Sequence, residues 1–139
     1  EAEEAMKAEK LRLSRKALKI LAAEDNSMNQ KLIRKMLEKD GHFVTVVDNG
    51  REAVHAALEQ DFDVVLMDVE MPELDGYEAT RIIRNTELER GKHNVIIALT
   101  AYAFQGDREK CIAAGMDGYL AKPITRTALA AMLAEHCPQ

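Results

Sequence analysis

DVVLMDVEMPELDGY, residues 63–77, is the stretch that decides the fold of this chain. Four apolar residues, 64–67, lead directly into Asp68, and a loop that contains Pro72 and ends in Asp75-Gly76 follows. A short continuous apolar run with β-branched members is typical of a strand that is buried on both faces. Asp68 then lies at the carboxyl end of that strand, where open α/β sheets bind their ligands. Its carboxylate suits a nucleophile, a metal ligand or a helix cap, and this stretch alone leaves the three roles open.

Strand and helix patterns alternate along the chain on both sides of this stretch. The predicted strands cover residues 17–23, 42–47, 64–67, 95–99 and 118–121. The predicted helices run from Asn26 or Ser27 to Gly41, onward from the turn at 48–50, from Tyr77 to about Asn85, up to Gly115, and from Thr125 to about His136. This alternation predicts one doubly wound α/β domain, a five-stranded parallel sheet in the flavodoxin-like order 2-1-3-4-5 with helices on both faces.

Apolar residues at helical spacing predict which helix faces meet the sheet. Helix by helix, these residues are Met28, Leu32, Ile33, Met36 and Leu37; then Ala53, Val54, Ala57 and Leu58; then Ala79, Ile82 and Ile83; then Cys111, Ile112 and Ala113. The histidines are expected at the surface rather than as phosphohistidine sites; they are His42, His55, His93 and His136. The two cysteines, Cys111 and Cys137, lie far apart without metal-ligand spacing, which predicts buried or idle thiols.

Composition narrows the class of protein. With 139 residues, 47% of them hydrophobic and 31% charged, the chain is expected to fold as one globular domain. A net charge of -5 argues against direct binding to nucleic acid, which depends on clustered Lys and Arg. No apolar run reaches the roughly 18 to 20 residues of a membrane helix, and the start EAEEAMKAEK lacks the features of a signal peptide. We therefore expect a cytoplasmic location without membrane contact.

The first 16 residues differ from the rest because they mix Glu, Lys and Ala with only a weak apolar stripe. We interpret 1–16 as a charged helical lead-in or linker and 17–137 as the globular domain, and we leave the oligomeric state open. The first residue is Glu rather than Met, which suggests a segment cut from a longer protein or a chain that has been processed. Since the chain stops at Gln139, shortly after the last predicted helix, its output is expected to go through a partner.

Polar residues follow four of the predicted strands. These residues are Glu24, Asp25, Asp68, Thr100 and Lys122, and the carboxyl ends of parallel strands bring them to one edge. Each has a plainer reading as a cap, a turn hydroxyl or a surface ammonium. Together, however, three carboxylates repel one another unless a cation joins them, and Mg²⁺ fits that ligand set best. A hydroxyl and an ammonium beside them suit a phosphoryl group, for which Asp68 is the natural nucleophile.

Four blocks of the sequence resemble the signature blocks of response-regulator receiver domains. They are ILAAEDN at 20–26, VVLMDVEMPELDGY at 64–77, ALTAYA at 98–103 and GYLAKPI at 118–124, and the resemblance covers about 17–137. It implies that Asp68 accepts a phosphoryl group from a phosphohistidine on a histidine kinase or histidine phosphotransfer domain, and that the domain catalyses its own phosphorylation and dephosphorylation. It also implies Mg²⁺ binding by Asp25 and Asp68 with the backbone carbonyl of Glu70. Glu24, where the family often has Asp, would act largely through water.

The resemblance assigns a switch as well. Thr100 and Lys122 would contact the phosphoryl oxygens, and the Lys122-Pro123 bond is expected to be cis. Tyr119 matches the aromatic switch position, whose ring turns inward when Thr100 moves toward the phosphate. Taken alone, Tyr119 is more simply a half-buried aromatic residue at the start of a strand.

The block DNSMNQ at 25–30 resembles receivers attached to hybrid sensor histidine kinases. A free-standing single-domain response regulator and a receiver-like interaction module that is never phosphorylated are the alternatives. A phosphatase of the haloacid dehalogenase kind is disfavoured because residues 68–72 lack the second Asp and the Thr of a DxDxT motif. Nucleotide binding through a glycine-rich loop has no support, since neither GxGxxG nor GxxxxGKS occurs.

Overall fold

The computed structural model describes residues 17–101 and 105–137. Its strands are β1 (Lys19–Ala23), β2 (Phe43–Val47), β3 (Val64–Asp68), β4 (Ile96–Thr100) and β5 (Gly118–Ala121). Its helices are α1 (Ser27–Lys39), α2 (Gly50–Glu59), α3 (Gly76–Arg90), α4 (Gln105–Ala114) and α5 (Arg126–His136). All strands pair in parallel in the order β2-β1-β3-β4-β5, so the predicted fold class and strand order are confirmed.

The sheet is buried on both faces because successive side chains of each strand point to opposite sides. Every residue of β3 is buried, as its unbroken apolar run predicts. One core lies beneath α2, α3 and α4 and contains Leu21, Val65, Met67, Ile96, Ala98, Ala53, Ala79 and Ile83. The other lies beneath α1 and α5 and contains Ile20, Val64, Leu66, Ile97, Leu99, Ile33, Leu37, Leu129 and Leu133. Two packed layers therefore hold the central strand ends in fixed positions.

Short polar side chains start the helices. Asn26 caps α1, Asn49 caps α2, Asp75 caps α3 and Thr125 caps α5, each accepting backbone N–H groups of the first turn. Gly41 follows α1 with φ of +87°, the left-handed conformation expected of the predicted stop. The caps set where the helices begin, and these starts lie close to those that the sequence predicts.

Helix α3 is longer than predicted. It continues to Arg90 instead of ending near Asn85, and Gly91 terminates it with φ of +67°. The polar stretch after Asn85 stays helical because Glu87 is buried within hydrogen-bond distance of Arg84, one turn earlier. A charged residue therefore does not indicate the end of a helix when its side chain is buried by contacts with other residues.

Several predicted inward residues face outward. Ile82 is 40% exposed and Ile112 64%, Ala113 is exposed, and on α1 Met28 and Leu32 are 77% and 46% exposed. The predicted faces were too wide, because each helix buries only a narrow row against the sheet, such as Ile33 and Leu37 on α1. The exposed Met28 and Leu32 leave an apolar strip on the surface of α1.

The surface prediction for the histidines is wrong for His42. This residue is 8% exposed, and its Nδ1 accepts the backbone N–H of Leu18 at 3.0 Å. The amide of Leu18 lies just before β1 and has no partner within the sheet that the structure describes. The His42 ring supplies the acceptor for this backbone N–H. His55 and His93 have exposed side chains, whereas His136 is half-buried.

Gly50 is the tightest glycine contact of the described chain. A Cβ at this position would lie 1.9 Å from the carbonyl oxygen of Leu74, in the loop that joins β3 to α3. We expect Gly50→Ala to lower the free energy of unfolding by about 2 kcal/mol, in line with other overpacked sites. Urea denaturation measures the change. Gly106→Ala is the matched control, because nothing lies within 4 Å of its added Cβ and alanine favours a helix; an equal loss in both variants would contradict the steric argument.

The helices of the described ranges are all too short or too polar to cross a membrane.

Candidate functional site

The site lies at the carboxyl edge of the sheet, where three strand ends converge. Glu24 directly follows β1, Asp68 is the last residue of β3, and Lys122 directly follows β5. The side chains of Glu24 and Asp68 are only 1% and 3% exposed, and that of Lys122 is 23% exposed. The Lys122-Pro123 peptide bond is cis, as the resemblance implies. The sequence therefore brings two buried carboxylates and one ammonium into a single cluster.

Lys122 bridges the two buried carboxylates. Its Nζ donates to Asp68 Oδ2 at 2.9 Å and lies 3.3 and 3.4 Å from the two carboxylate oxygens of Glu24. Burial alone would lower the pKa of Lys122, but the hydrogen bonds and charges of Asp68 and Glu24 together outweigh it, and the net pKa is raised. The lysine thus carries its charge at neutral pH and offsets part of the repulsion between the carboxylates.

Glu24 is the electrostatically perturbed residue of the site. Burial, followed by the neighbouring Asp68 carboxyl, raises the pKa of Glu24 to about 7, although Asn29 and Lys122 act in the opposite direction. One positive charge is therefore too little to keep both buried carboxylates fully ionised at neutral pH. A further positive charge, such as that of a metal cation, would stabilise the ionised form of both carboxylates.

Asp25 completes a trio of carboxylates. One oxygen from each of Glu24, Asp25 and Asp68 lies within 4.8 Å of the others, a spread that one cation can bridge. Asp25 is exposed, so the trio opens to solvent on one side. Hard oxygen ligands of this kind, with room for water, fit Mg²⁺. Of the predicted ligands, Glu70 has an exposed side chain, and its backbone N–H donates to Asp68 Oδ1 at 3.1 Å.

Thr100 and Tyr119 lie on the neighbouring strands. Thr100 ends β4, is 1% exposed, and its carbonyl accepts the backbone N–H of Lys122 at 2.7 Å. Tyr119 on β5 is half-buried, and the Arg108 guanidinium lies 5.9 Å from its ring centroid. Part of the ALTAYA block, residues 102–103, lies outside the described residues. The roles of Thr100 and Tyr119 as a switch stay a prediction.

Two residues of α1 that the sequence analysis did not single out belong to the site. Asn29 Nδ2 donates to Glu24 Oε1 at 2.5 Å, and Gln30 Nε2 donates to the Glu24 carbonyl at 2.5 Å and to Asp48 Oδ1 at 2.7 Å. Both side chains come from the first turn of α1, five and six residues after Glu24. The signal available was the pair of amides that ends DNSMNQ, one helical turn after the acidic pair Glu24-Asp25.

An apolar recess of about 280 Å³ adjoins the site. Leu32 and Ile33 of α1 line one side, and Pro123 and Ile124 after β5 line the other, with Lys122 at its edge. The exposed Met28 lies on α1 one turn before Leu32. An apolar surface therefore borders the carboxylates.

Fold and site together define the class of protein: a flavodoxin-like α/β domain with a carboxylate and lysine cluster at the carboxyl ends of its strands. The sequence model of the response regulator receiver domain matches residues 20–134. The chain belongs to the response regulator receiver domain family.

The curated relatives of the chain include histidine kinases. The chain is 46% identical over 111 residues to hybrid signal transduction histidine kinase I of Dictyostelium discoideum, covering 76% of this chain and 6% of that protein. It is 43% identical over 119 residues to the sensor protein GacS of Pseudomonas syringae pv. syringae, covering 85% of this chain and 13% of that protein. The chain thus spans a small fraction of these relatives, and the resemblance to receivers of hybrid sensor histidine kinases is confirmed.

Solved structures show the same fold. The receiver domain of sensor histidine kinase PA1611 from Pseudomonas aeruginosa PAO1, which has a magnesium ion coordinated in its active site cleft, is 49% identical with a TM-score of 0.79, covering 87% of this chain and 98% of that chain. The receiver domain of Ssk1 from Saccharomyces cerevisiae, in a co-crystal structure with the histidine phosphotransfer protein Ypd1, is 32% identical with a TM-score of 0.82, covering 86% and 88%.

Proposed function

We propose that this chain is a phosphoacceptor domain, in which Asp68 takes a phosphoryl group from a phosphohistidine on a histidine kinase or a histidine phosphotransfer domain. The observation that carries the proposal is the position of Asp68. Its carboxylate is buried, bonded to Lys122 at 2.9 Å and clustered with Glu24 and Asp25. An aspartate of this kind is a nucleophile whose surroundings neutralise the charge of an incoming phosphoryl group.

The chemistry follows from these groups. An oxygen of Asp68 attacks phosphorus, the bond between phosphorus and the imidazole nitrogen breaks, and the imidazole keeps the bonding electron pair. The product is an acyl phosphate on Asp68. Asp25, Asp68 and the carbonyl of Glu70 would hold Mg²⁺, with Glu24 acting largely through water, and the ion would supply positive charge beside the phosphoryl oxygens. The PA1611 receiver domain, with magnesium in its cleft, supports this ligand choice.

Lys122 lies where it can bond the phosphoryl group once Asp68 carries it. In the unphosphorylated protein its ammonium bonds Asp68 and Glu24, and a phosphoryl group on Asp68 offers stronger anionic acceptors at the same edge. Thr100, on the adjacent strand, would contact a second phosphoryl oxygen. Movement of its hydroxyl would let Tyr119 turn inward and change the surface formed by α4 and β5, which is the output of the domain.

The apolar strip on α1 is the docking surface we propose for the phosphohistidine partner. Met28 and Leu32 are exposed beside the recess at Pro123. Lys122, which bonds Asp68, also lines that recess, so a partner seated there would lie next to the acceptor. The co-crystal structure of the Ssk1 receiver domain with Ypd1 supports a histidine phosphotransfer protein as the partner class. The curated relatives support a hybrid histidine kinase as the parent protein.

The test of the proposed function is the intact mass of the protein after incubation with Mg²⁺ and acetyl phosphate. We expect the mass to increase by one labile phosphoryl group. A control with EDTA in place of Mg²⁺ should show no increase. Protein that binds Mg²⁺ but gains no mass would contradict phosphoacceptor chemistry, and would instead favour an interaction module.

Lys122→Ala separates phosphate contact from metal binding. We expect phosphorylation to slow about tenfold or more, since a hydrogen bond to a charged group is worth about 1.5–3 kcal/mol. The phosphorylation-dependent NMR shifts of residues 118–121 should weaken as well. Mg²⁺ affinity, measured by titration calorimetry, should be retained or rise, because an ammonium does not ligate a metal and its positive charge repels one. Lys35→Ala, an exposed change on α1, is the control; unchanged phosphorylation and shifts in Lys122→Ala would refute the role.

A further inference from the structure

We propose that Asn29 is a positioning residue that holds the Glu24 carboxylate in the geometry that serves the magnesium site. The inference rests on the proposed function, since it concerns the cation assigned there. Asn29 lies on α1 and does not itself ligate the cation in this scheme. Its role follows from the hydrogen bonds that the Glu24 carboxylate accepts from Asn29 and Lys122.

Asn29 makes a short hydrogen bond to the Glu24 side chain. Its Nδ2 lies 2.5 Å from Oε1, whereas Lys122 Nζ lies 3.3 and 3.4 Å from the carboxylate oxygens. Lys122 also bonds Asp68 at the shorter distance of 2.9 Å, so Glu24 shares the lysine with a closer acceptor. Asn29 is therefore the main fixed donor to this carboxylate.

The kind of donor matters for a cation site. A lysine stabilises a carboxylate but adds a positive charge that repels an incoming cation. An amide stabilises the same carboxylate without adding charge, and therefore leaves the attraction for the cation intact. Hydrogen-bonded partners that orient metal-binding groups commonly raise metal affinity by about tenfold or more.

Glu24 needs this support because of its length. Glutamate has one more rotatable bond than aspartate, so a buried glutamate must be held to present one oxygen in a fixed place. Gln30 holds the backbone of the same residue, with Nε2 donating to the Glu24 carbonyl at 2.5 Å and to Asp48 at 2.7 Å. The first turn of α1, capped by Asn26, thus fixes both the main chain and the side chain of Glu24.

A double-mutant cycle tests the inference, using Asn29→Ala, Glu24→Asp and the double variant. Titration calorimetry measures the dissociation constant for Mg²⁺, and thermal melting without metal measures stability. We expect Asn29→Ala to weaken Mg²⁺ binding about tenfold in the Glu24 background. In the Glu24→Asp background it should change the affinity less than about twofold, because the shorter carboxylate is withdrawn from the amide.

Lys35→Gly is the control for damage to α1, since it weakens the helix at an exposed position six residues after Asn29. It should lower stability by about 1 kcal/mol and leave Mg²⁺ affinity unchanged. Equal losses of affinity from Asn29→Ala in both backgrounds, or an equal loss in Lys35→Gly, would overturn the positioning role, as would wild-type affinity in Asn29→Ala. Wild-type protein that binds no Mg²⁺ would instead overturn the proposed magnesium site itself.

Discussion

Asp68→Asn is expected to give a folded domain that takes up no phosphoryl group from acetyl phosphate. The amide has the shape of the carboxylate but not its nucleophilic oxygen, so the loss should be complete within detection. The fold should persist because the substitution keeps the volume of a side chain that is 3% exposed. It also replaces one of two buried carboxylates that repel each other, so melting without metal should occur at the wild-type temperature or above.

Intact mass and thermal melting of Asp68→Asn, measured side by side, distinguish chemistry from folding. Asp61→Asn is the matched control, because Asp61 has a side chain that is 90% exposed and lies away from the strand carboxyl ends. The control should be phosphorylated like the wild type. Normal labelling of Asp68→Asn would remove Asp68 as the acceptor and would direct attention to another carboxylate of the cluster.

The sequence predicts which of these side chains lie together, because they come from strand ends. A run such as 64–67 identifies a buried strand, and parallel strands bring their carboxyl ends to one edge whatever their exact lengths. Glu24, Asp68 and Lys122 are therefore expected to meet, and the distances bear this out. The local sequence alone shows which residue stands at each strand end, so this part of the prediction does not require knowledge of long-range contacts.

The sequence does not predict contacts that depend on how a helix is rotated. The burial of Ile33 but not Leu32, and the reach of Asn29 to Glu24, follow from the orientation of α1 on the sheet, which helical spacing fixes only within a broad face. His42 is missed for a related reason. Its burial goes with the hydrogen bond that it accepts from the amide of Leu18, which lies just before β1 and 24 positions away in the sequence.

Arg84 is a further residue whose burial the sequence does not predict, since an arginine on a polar helix normally has a solvated side chain. Its side chain is only 17% exposed. The guanidinium donates to the carbonyls of Gly115 and Asn94 at 2.8 and 2.7 Å, to Glu87 at 2.7 Å and to Asp117 at 2.8 Å. One side chain of α3 thus joins the loops that lead into β4 and β5.

Arg84→Met should therefore lower the free energy of unfolding by about 3–5 kcal/mol, the usual cost of removing one partner from a buried ion pair. Glu87, whose side chain is 5% exposed, would lose its positive partner and keep only the Asn94 amides, both at 2.6 Å. Domains of this size have about 5–15 kcal/mol of stability in total, so the variant should be partly unfolded in mild urea. Circular dichroism during urea denaturation measures the shift in midpoint.

Two further variants identify the cause of that loss. Arg81→Met, an exposed change on the same helix, should stay within about 0.5 kcal/mol of the wild type. Adding Glu87→Gln to Arg84→Met should recover part of the stability, because it removes the uncompensated buried charge while keeping an acceptor for Asn94. If Arg84→Met costs no more than Arg81→Met, the guanidinium contacts do not stabilise the fold. If Glu87→Gln recovers nothing, lost packing and unpaired carbonyls, rather than the buried charge of Glu87, account for the effect.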